Sequence, residues 1–221
     1  MEMPRDSISL YFDLYARRPE MFSQSGPKEY PLVLDEARMR RFSQKTGRPM
    51  GVVYENGKHY MMVADLCLNE KGEEISYARV IYPNPTNGGV ALPYKDGQFG
   101  LLRNYRHPPR REMLELPRGF AEKDLTPEEN IRKELREEML AEVSCVTCIG
   151  KVRADTGLAA GYAEVFLAEV VHAEAAVGHE GIKELIWLSE EELDEKIASG
   201  QITDGFTLSA LTLYHAWKKK Q

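Results

Sequence analysis

The segment from residue 126 to residue 139 constrains the fold most, because it defines the start and the buried side of one helix. Thr126 is a good N-cap, Pro127 suits the first helical position, and Glu129 completes a capping box. Apolar residues then recur four apart along one side, at Ile131, Leu135 and Met139. The neighbouring side carries three carboxylates, Glu134, Glu137 and Glu138. They form either a solvated face or a metal-binding cluster, and the spacing alone favours the solvated face.

Composition and charge limit the possible classes of function. The net charge of −6 argues against a broad nucleic-acid surface, which needs a basic field to release counterions from the phosphate backbone. No stretch has the apolar length of a membrane span, and residues 1–25 are charged and amphipathic, unlike a signal peptide. We therefore expect a cytoplasmic protein that binds neither nucleic acid nor a membrane, with its three cysteines reduced.

The rest of the chain predicts an α+β fold with a helical extension at its N-terminus. Within residues 1–48, the apolar spacing predicts one helix that ends before Pro19 and a second helix that begins after Asp35. Over residues 51–116 we expect strands, with hairpin turns at Asn56-Gly57, Asn87-Gly88-Gly89 and Asp96-Gly97. Strands and helices then follow without regular alternation, which favours α+β over a doubly wound sheet.

The segment before the acidic helix supplies further oxygen ligands. Glu115 lies in a strand-like run, and the turn Pro117-Arg118-Gly119 leads from that run into the loop before the helix. A strand, a glycine turn and an acidic helix can bring carbonyl and carboxylate oxygens to one point. Hard divalent cations such as Mg²⁺ prefer such ligands and keep water or phosphate oxygens in their other positions. This arrangement strengthens the case for a metal site.

At these residues the sequence resembles the Nudix family. The Nudix box has a glycine, five residues, a glutamate, seven residues and then REUxEExGU, where U is aliphatic. Here Gly119 stands 14 positions before KELREEMLA, so the register fits without gaps and the three helix carboxylates match the family's metal ligands. The chain departs from the box at four positions, Leu125, Lys133, Leu140 and Ala141. The resemblance implies a mixed-sheet α/β/α sandwich in which the box forms a loop, a helix and a loop.

These departures have expected physical consequences. In the family, the first glutamate and the arginine help to brace the loop against the helix. Here Leu125 stands in place of the glutamate and Lys133 in place of the arginine, so the bidentate pair cannot form and we expect a less rigid loop. Leu140 adopts the left-handed C-cap conformation less easily than glycine, so we expect the helix to run on or to end differently.

Beyond the box, the resemblance favours the ADP-ribose pyrophosphatase branch. The runs LLRNYRHPPRREMLELPRGF and TGLAAGYAEVFLAEV and the C-terminal strand and helices are similar to that branch, over residues 50–217 and most strongly over 100–140. We therefore expect a catalytic domain at 49–221, which includes a β-hairpin region at 49–100 and follows the extension at 1–48. The resemblance implies hydrolysis of ADP-ribose or a related nucleoside diphosphate sugar to AMP and a sugar phosphate, with Mg²⁺ or Mn²⁺.

The same resemblance implies roles for individual residues. The expected metal ligands are four carboxylates and one backbone carbonyl, from Glu134, Glu137, Glu138, Glu115 and Arg118. Catalytic roles are expected for Glu137 and for the base Glu180, with Glu164 as the alternative base. The expected substrate-binding residues are Arg103, Tyr105, Arg106 and Glu164. An exposed strand face explains the first three of them almost as well.

Three functional hypotheses stay open at this point. The first is hydrolysis of ADP-ribose or a related nucleoside diphosphate sugar, and the second is the same chemistry on a different nucleotide sugar or a dinucleotide. The third is a catalytically impaired Nudix-fold module that binds a nucleotide for regulation, which the altered box makes credible. Against the third, the bracing residues have changed while the metal carboxylates are kept. The resemblance also implies a homodimer, because ADP-ribose pyrophosphatases commonly build the substrate site from both subunits.

Overall fold

The computed structural model describes residues 6–23, 29–57, 59–82 and 88–221. Contacts divide the chain into two compact units, Met1–Pro83 with Asp155–Gly161 and Asn84–Ala154 with Tyr162–Gln221. Three strands belong with the N-terminal helices in the first unit, and the domain boundary expected after residue 48 stays a prediction. None of the described helices combines the length and the apolar character that crossing a membrane requires.

The first unit packs helices against a three-stranded antiparallel sheet. Its helices are α1 (Ser7–Arg17), a short 3₁₀ helix (Pro19–Phe22) and α2 (Glu36–Thr46), and its strands are β1 (Gly51–Glu55), β2 (Met61–Leu68) and β3 (Glu74–Ile81). Both predicted helices are confirmed, because α1 ends before Pro19 and Asp35 caps α2 through the Arg38 backbone N–H. Tyr11 and Leu66 are buried in the core that the helices and strands share.

The second unit contains a seven-stranded mixed sheet and three helices. In chain order these are β4 (Gly89–Lys95), β5 (Gln98–Arg106), β6 (Arg111–Glu115), β7 (Arg118–Gly119), α3 (Pro127–Met139), β8 (Glu142–Val152), β9 (Ala163–His172), β10 (Ile182–Leu188), α4 (Glu190–Ala198) and α5 (Gly205–Lys218). The strand order is β10-β5-β4-β9-β8, β6 pairs with β5, β7 pairs with β4, and β4 runs parallel to β9. The predicted start of α3 is confirmed, because the Thr126 capping box forms.

Helices cover both faces of this sheet. Successive residues of β4 point to opposite sides, so Ala91 packs in the same cluster as Leu135 of α3, whereas Leu92 packs in the same cluster as Leu211 of α5. The predicted α+β fold, a mixed-sheet α/β/α sandwich, is therefore confirmed.

Two of the three predicted hairpin turns are confirmed. Asn56-Gly57 lie between β1 and β2, which pair antiparallel, with positive φ at Gly57. Residues 96–97 connect β4 to β5 with positive φ at both Asp96 and Gly97. Asn87 lies outside the described residues. The strands on either side of it, β3 and β4, pair in different sheets, so the hairpin predicted there is wrong. A glycine-containing turn allows a reversal but does not determine which strands pair.

Candidate active site

The three predicted carboxylates of α3 differ in exposure. Glu138 is only 4% exposed, Glu134 is half-buried, and Glu137 is exposed. The Arg118 backbone lies beside the Glu138 carboxylate and lowers its pKa, and Glu138 Oε2 has no hydrogen-bond partner among the described residues. A buried oxygen of this kind is costly to leave unpaired, so it needs an explanation such as an ion or a ligand.

The acidic residues around Glu138 influence each other's protonation. Burial, and then the Glu134 carboxylate, raise the pKa of Glu138 to about 8, while Arg106 opposes the shift. Burial is also the main cause that raises the pKa of Glu134. Glu180 contributes to both shifts, so its carboxylate lies within electrostatic reach of the other two. We call Glu134, Glu138 and Glu180 the acidic cluster.

Glycine at position 119 lets Glu134 lie against the backbone. A Cβ atom on Gly119 would overlap the carboxylate of Glu134. The backbone there is held by β7, in which Gly119 pairs with Gly89 of β4. The glycine that matches the start of the Nudix box therefore leaves the space that the Glu134 carboxylate occupies in this structure.

Glu115 is buried and is held by two arginines. Its side chain is 2% exposed and forms ion pairs with Arg106 and, at 3.3 Å, with Arg118. Glu115 lies opposite Leu102 in the β5–β6 ladder, and Leu102 packs in the cluster that contains the buried side of α3. Strand alternation places Arg106 on the same face as Leu102, which brings Arg106 to the acidic side of the sheet.

Arg103 and Tyr105 lie on the other face of β5, because they are offset by one residue from Arg106. Arg103 forms an ion pair with Glu184 of β10, and Tyr105 is 41% exposed. The structure thus brings Arg106 to the acidic cluster but not Arg103 or Tyr105. Their substrate-binding role stays a prediction.

Glu180 lies in the loop before β10 in a strained backbone conformation. Its φ of +44° is in the left-handed region, which few non-glycine residues occupy. The loop is held to β5, because the Tyr105 N–H donates to the Gly181 carbonyl at 3.1 Å. The Glu180 side chain is exposed. Strained residues that the surrounding structure holds in place occur often at functional sites.

Glu164 lines a small pocket beside the start of α3. The pocket is formed by Gly88, Ala121, Leu125, Pro127, Asn130, Tyr162 and Glu164. Lys151 pairs with Glu164 at 3.1 Å and lies 4.6 Å from the centre of the Tyr162 ring. Leu125, which stands where the Nudix box has its first glutamate, is part of the wall of this pocket.

The loop before α3 is braced in spite of the altered box. Lys133 Nζ pairs with Glu122 of the loop at 3.0 Å and with Glu137 of the helix at 2.7 Å. The buried Asn130 accepts from the Glu122 N–H and donates to a carbonyl of the same loop. An acid three positions earlier in the chain therefore supplies an ion pair to Lys133, and the lower rigidity expected for the loop stays a prediction. A motif that is read at fixed positions misses such a shift.

The expectation that α3 runs on past Leu140, or ends differently from a left-handed C-cap, is wrong. Leu140 is the C-cap, with a φ of 47° and a ψ of 33°, and its side chain is 55% exposed. The segment after β9 supplies donors to the end of the helix, since Glu174 N–H donates to the Met139 carbonyl at 2.8 Å. The chain therefore accepts a left-handed leucine where the family has glycine.

The five predicted metal ligands do not all converge in this structure. In the part of the chain that the structure describes, no group of three or more His, Cys, Asp or Glu side chains is arranged to hold a metal ion. Glu115 is engaged by arginines and Glu137 by Lys133. A divalent cation nevertheless fits at Glu138, whose buried Oε2 needs a positive partner, with Glu134 beside it. The full ligand set stays a prediction.

Asn104 belongs to the same region but is not part of any motif. It lies on β5 two residues before Arg106, is 3% exposed, and its Oδ1 has no partner among the described residues. The only sequence signal is a polar residue two positions after the apolar run that ends at Leu102. That signal does not distinguish a site residue from an exposed one.

Comparisons with known proteins agree with this geometry. Residues 85–206 match the family model of the NUDIX domain, which is more than half of the chain, so the chain belongs to the Nudix family. Nudix hydrolases generally use divalent metals such as Mg²⁺. The fold is similar to a crystal structure of an "ADP compounds hydrolase", with a TM-score of 0.65 and 18% identity, over 77% of this chain and 91% of that chain. A search of curated proteins finds no match.

Proposed function

We propose that this Nudix protein hydrolyses the diphosphate bond of ADP-ribose or a related nucleoside diphosphate sugar, giving AMP and a sugar phosphate. The observation that carries the proposal is the buried Oε2 of Glu138 inside the acidic cluster, for which the described part of the chain offers no hydrogen-bond partner. The name of the structural neighbour, a hydrolase of ADP compounds, and the resemblance of residues 100–140 to ADP-ribose pyrophosphatases support this class of substrate.

Glu134 and Glu138 are the residues that would hold Mg²⁺ or Mn²⁺. When bound, such a cation supplies positive charge to the phosphate oxygens and lowers the pKa of a coordinated water. Arg106 adds a fixed positive charge on the same side of the sheet, oriented by its ion pair with Glu115. We assign to Glu180 the removal of the proton from the attacking water, because it is the exposed carboxylate of the acidic cluster.

The pocket that contains Glu164 is proposed to receive one sugar or base of the substrate. Tyr162 offers an aromatic face, Glu164 offers acceptors for hydroxyl groups, and Leu125 adds an apolar surface. We also propose a homodimer and a cytoplasmic location, on the strength of the resemblance. Light scattering of the purified protein measures the first of these.

The test is chromatographic product analysis after incubation with ADP-ribose and several nucleotide sugars, in Mg²⁺ or in EDTA. We expect AMP and ribose 5-phosphate only with metal. Glu138→Gln should lower the rate by more than about 100-fold, beyond the usual effect of residues that support a metal site indirectly. Glu128→Gln is the matched control, since Glu128 is an exposed acid of α3 that pairs with Arg132.

The result that contradicts the proposal is equally specific. If every substrate stays intact while ADP-ribose still raises the Tm, the chain binds a nucleotide without turnover, as the regulatory hypothesis requires. Equal rates for wild type and Glu138→Gln would remove Glu138 from the site.

A further inference from the structure

Asp204 links the N-terminus of α5 to the segment that carries Glu115. Its Oδ2 accepts from the Thr207 N–H at 2.9 Å and from the Thr207 hydroxyl at 2.8 Å, which caps α5. Its Oδ1 accepts from Arg118 at 2.8 Å, and only 11% of the side chain is exposed. A helix cap needs only Oδ2, the oxygen that accepts from Thr207. The contact between Oδ1 and Arg118 is therefore separate from the capping of α5.

Arg118 carries this contact onward to Glu115. The Arg118 guanidinium pairs with Asp204 and Glu115, and it lies 4.9 Å from the centre of the Phe206 ring. Because a guanidinium is planar and its donors point in fixed directions, it relates the position of one carboxylate to that of the other. The Arg118 backbone itself lies beside the Glu138 carboxylate of the acidic cluster.

A second hydrogen bond joins the same two segments. The Leu116 N–H donates to the Thr207 hydroxyl oxygen at 3.1 Å, and Thr207 is fully buried. Leu116 lies between β6 and β7, so a side chain of α5 takes the place of a strand partner. The start of α5 thus holds this part of the chain through both a charge and a backbone bond.

We infer that Asp204 is a positioning residue for the acidic cluster. Through Arg118 it fixes the position of Glu115 and of the backbone beside Glu138. Asp204 lies 86 residues after Arg118, outside the Nudix box. The inference rests on the proposed function for its consequence in catalysis. The geometry that it concerns belongs to the chain itself and is measurable without substrate.

Asp204→Asn separates the two roles of this residue, because asparagine caps a helix about as well as aspartate but offers Arg118 no charge. The first readout is amide hydrogen exchange of the metal-free protein at Leu116 and Ala91. Ala91 donates to the Pro117 carbonyl at 3.0 Å and so reports on the same segment. We expect both amides to exchange at least roughly tenfold faster in Asp204→Asn than in the wild type, while the Tm stays close to that of the wild type.

Ser189→Ala is the matched control for loss of a cap. Ser189 caps α4 through a capping box with Glu192. Its removal should lower the Tm by about 2–4 °C, with no selective increase in exchange at Leu116 and Ala91. If Asp204→Asn fails to fold, Arg118→Lys tests the same link, since lysine keeps the charge but loses the fork that joins two carboxylates.

Titration calorimetry with Mn²⁺ gives the second readout. Binding by Asp204→Asn should be about 10–100-fold weaker than by the wild type, the usual cost of losing a support for a metal site. Unchanged exchange at Leu116 and Ala91, or wild-type Mn²⁺ affinity, overturns the inference. A wild type that binds Mn²⁺ but cleaves no substrate overturns the proposed function instead, and leaves the exchange comparison valid.

Discussion

The two units of the chain each bury a carboxylate, and they differ in what surrounds it. In the first unit, Asp65 is 2% exposed, accepts from the Tyr11 hydroxyl and pairs with Arg79 at 2.6 Å. In the second unit, Glu138 is 4% exposed, and one of its oxygens has no partner in the described residues. Exposure is nearly equal, so the difference lies in the partners.

The Asp65 cluster joins the helices of the first unit to its sheet. Tyr11 is on α1, Asp65 on β2 and Arg79 on β3, and Arg79 also donates to the Met21 carbonyl at 2.9 Å. Burial, and then the charge of Asp65, raise the pKa of Tyr11, so the phenol keeps its proton and remains a donor. Each of the three side chains therefore has a protein partner.

This comparison shows that partners, more than burial, separate a structural acid from a functional one. A buried polar group with full partners contributes to a unique fold, whereas an unpaired one lowers stability until a ligand or ion binds. Removal of the charge should therefore have opposite effects on the stability of the two units.

The largest expected effect is on the first unit. Asp65→Asn leaves Arg79 without its charged partner and should lower the free energy of unfolding by about 3–5 kcal/mol, measured by urea denaturation. Tyr11→Phe should cost less, about 1–3 kcal/mol, because it removes one hydrogen bond. The exposed Glu70→Gln is the control and should change little. An Asp65→Asn protein as stable as the wild type would remove the contrast between the units.

The next effect is a pH dependence that belongs to Glu138. Its pKa in the folded chain is about 8, against an ordinary value of 4.5. The unfolded chain therefore loses this proton at a lower pH than the folded chain does. The corresponding stability is present below pH 4.5 and is lost as pH rises through about 8. Glutamine cannot ionise, so Glu138→Gln does not lose this stability. As pH rises from 4.5 to about 8, the free energy of unfolding of Glu138→Gln relative to that of metal-free wild type should therefore increase by at least about 1.4 kcal/mol, the equivalent of one pKa unit.

Parallel stability curves for wild type and Glu138→Gln over this pH range would contradict the prediction. The comparison between the two variants is needed because other groups also titrate. Glu128→Gln serves as the control for the loss of an exposed helix acid, and its curve should follow that of the wild type.

Much of the fold was predictable from local signals. The Thr126 capping box, the Asp35 cap and the Asp96-Gly97 turn each act within a few residues, and the structure confirms all three. The hairpin predicted at Asn87 was wrong, because a local turn signal does not contain the strand pairing, which depends on the rest of the sheet. Local rules predict where elements begin and end, but not which elements pair.

The candidate site was predictable only as a set of residue types. The motif placed Glu134 and Glu138 on one helix, but the unpaired oxygen depends on packing between distant segments. The contacts of Glu122 with Lys133 and of Asp204 with Arg118 lie outside the motif positions. Such contacts depend on side-chain reach in the folded chain, which a spacing rule does not contain.

A smaller effect concerns strain beside the unpaired acid. Leu140, two residues after Glu138, occupies the left-handed region with an exposed side chain, so Leu140→Gly should raise the free energy of unfolding by about 1 kcal/mol. Leu140→Ala is the control, because alanine keeps the Cβ and hence the strain. Equal stabilities of the glycine and alanine variants would show that the backbone carries no strain there.

The smallest effect comes from the exposed brace, where acids are fully paired but not buried. The side chains of Lys133 and Glu122 are 33% and 51% exposed, so Glu122→Gln should cost only about 0.2–1 kcal/mol, and less at high salt. Leu125→Glu in the Glu122→Gln background should recover the lost free energy of unfolding, since it returns an acid to the position that the Nudix box gives it. Urea denaturation at low and high salt measures both variants. A loss as large as that of Asp65→Asn would mean that pairing alone, without burial, sets the value of an acid in this chain.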